Sequence, residues 1–320
     1  MRIARRAALA LLAAPVLARA AGWPERPIRL LHGFGPGGPA DTMSRLIAAP
    51  LGEALGQPVV VEARPGAGGN IASAAIARAA PDGYTLGLIT GGHAVNAAFG
   101  QTPGFDPIED FDFIALLSRY AFTIVVRQDF GARDLAGLIA LAKQSPGSVT
   151  FASAGTGSTQ HLTGELLASA AGVRFTHVPY RGDAPATTAL LGGEVAMMVG
   201  SSVGTVPHVR GGALRALAVT SPKRSPLLPE VPTLAEAGLP GAEATTWAGL
   251  VAPRGLPAPI GERLYTVTAE ALAEPGLRRR LEDLLGGEVG PGAPGEMKRL
   301  VASEIPRWRA VIEQRGIKLD

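Results

Sequence analysis

Ile28-Arg-Leu-Leu-His32-Gly-Phe-Gly-Pro-Gly-Gly38-Pro-Ala-Asp41 carries an apolar segment into a Gly/Pro loop and then into a helical pattern. In that pattern Met43, Leu46, Ile47 and Leu51 recur at helical spacing, and Asp41 stands where an N-cap is expected. Gly56 ends the helix, and Val59-Val-Val-Glu62 reads as a short β-branched strand. The turn Arg64-Pro-Gly-Ala-Gly-Gly-Asn70 leads to an Ala-rich helix reaching about Ala80, and Pro81-Asp82-Gly83 to a strand over residues 84–89. Strand, helix, strand, helix, strand with short connections predicts an α/β unit with a parallel sheet.

The pattern recurs further along. Strands are expected at 149–153, 175–179 and 195–199, with helices from about Thr159 to Ala171 and from Ala184 to Leu191. Between the two units, 113–126 is an apolar run suited to a strand that crosses from one domain into the other, and 214–220 is expected to carry the return. A strand at 247–252 and amphipathic helices at about 258–273 and 294–315 close the chain. Two doubly wound α/β domains joined by a two-crossing hinge follow, with any ligand beyond the carboxyl ends of the strands. The expected division is 21–121 plus about 221–320 for domain 1 and about 122–220 for domain 2.

Charge sharpens the picture. The 320 residues carry 30 basic and 27 acidic side chains, a net of +3, with 47% apolar and 18% charged residues, which excludes intrinsic disorder. No cysteine is present, so disulfides, thiol nucleophiles and Cys-based metal sites are excluded. Arg2, Arg5 and Arg6 precede an apolar run, Ala7 to Ala18, and the small-x-small pattern Ala18-Arg-Ala20, which is the form of a secretory signal peptide over 1–20. Its 12-residue apolar run is shorter than a membrane span. Arg5-Arg6 leaves Sec and twin-arginine export both open. Removal of the segment leaves 26 basic against 27 acidic side chains, a net of −1, so the positive charge argues for no nucleic-acid partner.

Gly33-Phe-Gly35-Pro-Gly-Gly38 matches the dinucleotide fingerprint, with Glu62 ending the second strand. Against that reading, Pro36 and Pro39 remove amide donors from the loop, and Glu62 lies further on than the fingerprint requires. What remains is a glycine-rich turn at a helix N-terminus, whose orphan N–H groups and positive dipole end suit a carboxylate. Gly155-Thr-Gly-Ser-Thr-Gln-His161 repeats the device with the hydroxyls of Ser158 and Thr159 as added donors, and Thr90-Gly-Gly-His93 is a third such loop. The alternative for each is a tight βα turn. The five histidines, at 32, 93, 161, 177 and 208, show no metal-ligand spacing, so no metal and no cofactor are expected. No G-x-S-x-G elbow accompanies Ser158 and His161, so no catalytic residue is assigned.

An ordered set of motifs spans essentially the whole mature chain. It includes Trp23-Pro-x-Arg26-Pro-Ile-Arg, Pro36-Gly-Gly38 with Asp41, Gly56-Gln-Pro-Val-Val-Val-Glu62, Arg64-Pro-Gly-Ala-Gly-Gly-Asn70 and Ala80-Pro-Asp-Gly-Tyr-Thr85. It continues with Ala152-Ser-Ala-Gly-x-Gly-Ser158 and His161, His177-Val-Pro-Tyr180 with Gly182, Leu214-Arg-Ala-Leu-Ala-Val-Thr220, Pro232-Thr233 and Glu236-Ala-Gly238. In these the chain resembles the Bug-type (TctC-type) extracytoplasmic solute-binding proteins of tripartite tricarboxylate transporters. The resemblance implies a two-lobed, type II periplasmic-binding-protein fold that closes like a Venus flytrap, an organic-acid ligand, a periplasmic location and delivery to integral-membrane transporter subunits by a monomer. It places ligand contacts at Phe34, Gly35, Gly37 and Gly38, at Gly91, Gly92 and His93, at Gly157, Ser158, Thr159 and His161, and at Gly200 and Ser201; Tyr180, an aromatic of the core or cleft wall, is added to the candidate set. His32-Gly33 and Gly35 depart from the usual first loop, and Gly200 stands where the family often has Asp. A missing carboxylate there points to a plain carboxylate rather than an amino acid as ligand. The rivals are an enzyme acting on a small acid in the same cleft, for which only isolated His161 and His93 offer a base, and a ligand sensor feeding a signalling system.

Overall fold

The computed structural model describes residues 22–318 apart from Pro103; the expected signal peptide lies outside the described residues. Strand β1 (Ile28–His32) is buried at all but one position, as the central strand of a parallel sheet must be. It pairs in parallel with β2 (Val59–Ala63) on one side and β3 (Thr85–Thr90) on the other. Helix α1 (Pro39–Leu55) connects the first two strands, and α2 (Asn70–Ala77) leads to the third. Met43, Ile47, Leu51 and Leu55 bury one face of α1, and Gly56 at φ 72° stops it in the left-handed conformation open to glycine. The helix starts two residues before the expected N-cap. Gly38 is the cap, Pro39 takes the first turn, and Asp41 sits inside that turn.

Helix α3 (Gly92–Ala98) follows β3, and β4 (Phe111–Arg127) is 17 residues long. In the second half of the fold come α4 (Leu135–Gln144), β5 (Thr150–Ser153), α5 (Thr159–Ala171), β6 (Thr176–Pro179), α6 (Asp183–Gly192), β7 (Met197–Ser201), α7 (Ser202–Arg210) and β8 (Leu214–Val219). The chain ends with β9 (Thr245–Pro253), α8 (Ala258–Ala273), α9 (Pro275–Leu285), β10 (Glu288–Gly292) and α10 (Pro294–Arg315). β3 pairs antiparallel with β9, and β9 with β4 from Phe111 to Ala121. β5 lies parallel between β6 and β7, and β7 pairs antiparallel with β4 from Phe122 to Val126. Each lobe therefore has three parallel strands followed by an antiparallel one, and β4 serves both sheets, changing partners between Ala121 and Phe122.

The return to the first lobe differs from the expected one. β8 does not cross: it pairs along β4 from Thr123 to Arg127, wholly in the second sheet. The crossing comes after it, at Thr220, and β9 takes up pairing at Thr245 opposite Ala121. Thr220 is fully buried and ties the crossings together. Its N–H donates to the Phe122 carbonyl (2.9 Å), its hydroxyl accepts from the Phe122 N–H (2.9 Å) and donates to the Ala244 carbonyl (2.7 Å), and the Ala244 N–H donates back to its carbonyl (3.0 Å). Thr220→Val keeps the shape but strands the Phe122 amide and the Ala244 carbonyl. A loss of about 2 kcal/mol is expected in urea denaturation; an unchanged midpoint would show that the clasp contributes nothing.

α3, α4, α7 and β10 are elements that the sequence does not single out. Arg278, Arg279 and Arg280 stand exposed on α9, whose Leu277, Leu281 and Leu285 face the core. In the first lobe Trp247 is buried and donates its indole N–H to the buried Glu304 of α10 at 2.6 Å.

Candidate functional site in the interlobe seam

The loops after β1 and β5 are built alike. Gly37 (φ 82°) and Gly157 (φ 78°) turn the chain into α1 and α5 through a conformation that favours glycine. In each, a side chain from the first turn of the helix holds the amide four residues back. The Asp41 carboxylate accepts from the Gly37 N–H (3.0 Å), and His161 Nδ1 accepts from the Gly157 N–H (3.3 Å). Asp41 is buried and also faces His32 Nε2 (3.2 Å) and Arg45 (3.0 Å). Burial pushes its carboxyl up, but the Arg45 guanidinium, the Gly37 N–H and His32 together hold it below the usual carboxylate range.

Beneath the second loop His161 and His177, 16 residues apart in sequence, stack with ring centroids 3.8 Å apart. His177 Nε2 lies 2.7 Å from Ser153 Oγ, which also accepts from the Gly155 N–H (3.1 Å). Ser158 caps α5 by accepting from the His161 N–H (3.2 Å). The histidines and Ser153 thus act on the loop from below, as its support. The sequence shows neither the stacked pair nor the Asp41 partner of His32, because Asp41 on α1 meets His32 on β1, and His161 on α5 meets His177 on β6, only once each helix is folded over its sheet.

The two lobes meet along a seam of glycines. The Gly35 N–H donates to the Arg181 carbonyl across it at 2.9 Å. A Cβ on Gly35 would stand 2.4 Å from that oxygen, one on Gly68 2.5 Å from the Gly157 backbone, and one on Gly182 3.1 Å from Gly35 N. Buried Asn96 on α3 spans the seam: its Nδ2 donates to the Gly92 carbonyl (2.8 Å) and to the Gly157 carbonyl (3.0 Å). Thr159 Oγ1 and Thr246 Oγ1 approach to 3.3 Å, with Gly91 packed against both. A small cavity of about 10 Å³, room for about one water, lies behind Gly33, Phe34 and Gly68.

Of the expected site residues, Gly35, Gly38, Gly91, Gly92, Gly157 and Thr159 come together at the seam, with Phe34 packed over Gly69 and Ser201 capping α7. Gly91 to His93 and Gly200 to Ser202 prove to be strand ends running straight into α3 and α7. Gly200 faces inward, against Thr205 and Met198. His93 turns into the first lobe. Its Nε2 donates to the Pro107 carbonyl (2.8 Å), Nδ1 faces Ser73 Oγ (3.1 Å), and its ring packs between Phe105 and Phe111. The Tyr180 hydroxyl is engaged by Glu194. The seam residues that sequence reasoning missed are Gly68, Asn96, Gln160, Gly182, Asp183 and Thr246; nothing local marks them as a set.

Several loop amides are consumed within the protein: those of Gly35, Gly37, Gly155, Gly157 and Ser158 all have acceptors. In the first turns, Ala40 and Asp41 of α1 and Thr159 and Gln160 of α5 are the amides with no acceptor within their helices, since Pro39 has no N–H and that of His161 goes to Ser158. Two lobes hinged at β4, with helix starts from each opposed across a glycine seam, define a hinged binding protein. The chain belongs to the tripartite tricarboxylate transporter family receptors (TctC), whose profile matches residues 43–317. It is 40% identical over 291 residues to the "UPF0065 protein in tcbD-tcbE intergenic region" of Pseudomonas sp. (strain P51), covering 91% of this chain and 86% of that one. Among solved structures it resembles the periplasmic binding protein BugD (35% identity, TM-score 0.88, 92% and 99% of the two chains). It also resembles R. palustris Rpa4515 with adipate (38%, 0.87, 92% and 99%) and MatC (Rpa3494) from Rhodopseudomonas palustris with bound malate (36%, 0.85, 91% and 100%). The type II periplasmic-binding fold and the receptor class expected from the sequence are both found.

Proposed function

We propose that this receptor captures a small organic carboxylate between its lobes in the periplasm and hands it, as a monomer and without chemical change, to the integral-membrane subunits of a tripartite tricarboxylate transporter. The observation that carries this is that the N-terminal turns of α1 and α5 enter one seam from opposite lobes, α1 against the start of α6 and α5 against Gly68, Gly92 and Asn96, in a chain so similar to adipate- and malate-bound proteins. In this reading the lobes are 21–121 plus about 221–320 and about 122–220. The ligand lies against Phe34–Gly38, Gly91, Gly92, Gly157–Thr159 and Ser201. Main-chain amides and hydroxyls do the holding, and neutral donors release a carboxylate more readily than a buried counter-ion would.

Binding without chemistry is supported by the engagement of both histidines that the enzyme alternative would use, His93 with Ser73 and Pro107 and His161 with the Gly157 amide. Calorimetry and thermal shift against three- to six-carbon mono- and dicarboxylates, with small-angle scattering, test the proposal. The expected result is saturable binding of at least one acid with compaction on binding. Turnover of the bound acid, or no binding across the panel, would overturn it.

A further inference from the structure

Asp183 is the first residue of α6 and lies in the seam, 3% exposed. Its surroundings come from both lobes. Oδ1 accepts from the Ser201 N–H at 3.1 Å, Oδ2 accepts from Gln160 Nε2 at 3.3 Å, and a Cβ on Gly38 of the opposite lobe would stand 3.3 Å from Oδ2. Tyr120 at the hinge is close enough to feel the charge. All these donors are neutral, and among the described residues no lysine or arginine forms an ion pair with it. A carboxylate has about four acceptor sites, and the two donors leave capacity on Oδ2, which faces Gly38 of the opposite lobe and is bared when the lobes part. Burial pushes the carboxyl above its usual range.

A buried carboxylate without a cation disfavours the closed state unless something arriving with closure offsets it. Resting on the carboxylate-receptor reading above, we propose that Asp183 sets the ligand class: its carboxylate receives an N–H or O–H from the ligand, so the receptor prefers acids bearing an ammonium or hydroxyl group over plain dicarboxylates. A second ligand carboxylate directed at this point meets a like charge, whereas an ammonium supplies the missing counter-charge and a hydroxyl the missing donor. This reverses the expectation drawn from Gly200, because the carboxylate absent from the end of β7 is supplied from the start of α6.

Succinate, malate and aspartate share a four-carbon diacid chain and differ only in bearing hydrogen, hydroxyl or ammonium at one carbon. Calorimetry of the mature protein with the three is expected to rank aspartate or malate at least tenfold tighter than succinate. Asp183→Asn is expected to shrink that ratio by tenfold or more, with Asp183→Ser as the second variant. The ratio, rather than the affinity, is read, so a partly destabilised variant still decides the matter. A wild-type preference for succinate, or a ratio that changes by less than tenfold in both variants, overturns the assignment alone. Binding of none of the three sends the same comparison to adipate and 2-aminoadipate; if no acid binds there either, the carboxylate reading itself falls and this assignment with it.

Discussion

Gly35→Ala is expected to weaken binding of any acid the receptor accepts by at least 100-fold while leaving each lobe folded. Gly35 has no left-handed backbone, so alanine is tolerated locally. Its methyl group would instead stand 2.4 Å from the Arg181 carbonyl oxygen of the opposite lobe, a backbone atom that cannot rotate away, and the Gly35–Arg181 hydrogen bond would go with it. The variant props the lobes apart, and a 100-fold loss corresponds to about 2.7 kcal/mol of closure. Scattering should show a radius of gyration that no longer falls on adding ligand. Gly56→Ala is the control. It has open space around its Cβ and a φ of 72°, so it strains the end of α1 and lowers stability by about 1 kcal/mol without touching affinity. Wild-type affinity and compaction in Gly35→Ala would overturn the closure account.

Acid should unfold the protein well before its carboxylates titrate as a group. Burial lowers the pKa of His93 from 6.5 to about 4, and burial together with the neighbouring His161 lowers that of His177 to about 3. Burial also lowers His32, against the pull of Asp41. The unfolded chain takes up these protons near pH 6.5, whereas the folded chain refuses them until about pH 4 or 3. Their contribution is therefore full above pH 6.5 and is lost as the pH falls through that window. For fully buried His93 the loss between pH 6.5 and 4 is about 3 kcal/mol. Asp183 and Glu304 act with the opposite sign: burial raises both, so the folded chain takes up their protons first and regains stability on acidification. The histidines outnumber them, and the urea midpoint should fall steadily from pH 7 to 4.5. His93→Asn should show a shallower fall, and an equal slope in both proteins would sink the assignment.

The fold was legible where short-range chemistry sets it. An apolar run into Gly-rich turn into 3.6-residue periodicity fixes β1–α1 and β5–α5 whatever surrounds them, and Gly37 and Gly157 are glycines because the turn demands φ near 80°. α3 was hidden because all seven of its residues are buried, so no polar face marks a period. β10, Glu288-Val-Gly-Pro-Gly292, has little strand character of its own and exists through pairing with β4. Asp41 lies three residues past the true cap, Gly38, and accepts the Gly37 amide from inside the helix, which sequence spacing alone does not separate from an N-cap.

Two α/β lobes, each with a glycine-bounded helix start, are written in local patterns, since strand, turn and helix signals act over fewer than about 20 residues. What those loops face is set by long-range packing. Gly35 meets Arg181, Asn96 reaches Gly157 over 61 residues, and Asp183 lies between Gly38, Gln160 and Ser201. Such contacts follow from how two lobes are hung on β4 and Thr220, and no local pattern encodes the distance between residues on opposite sides of a hinge.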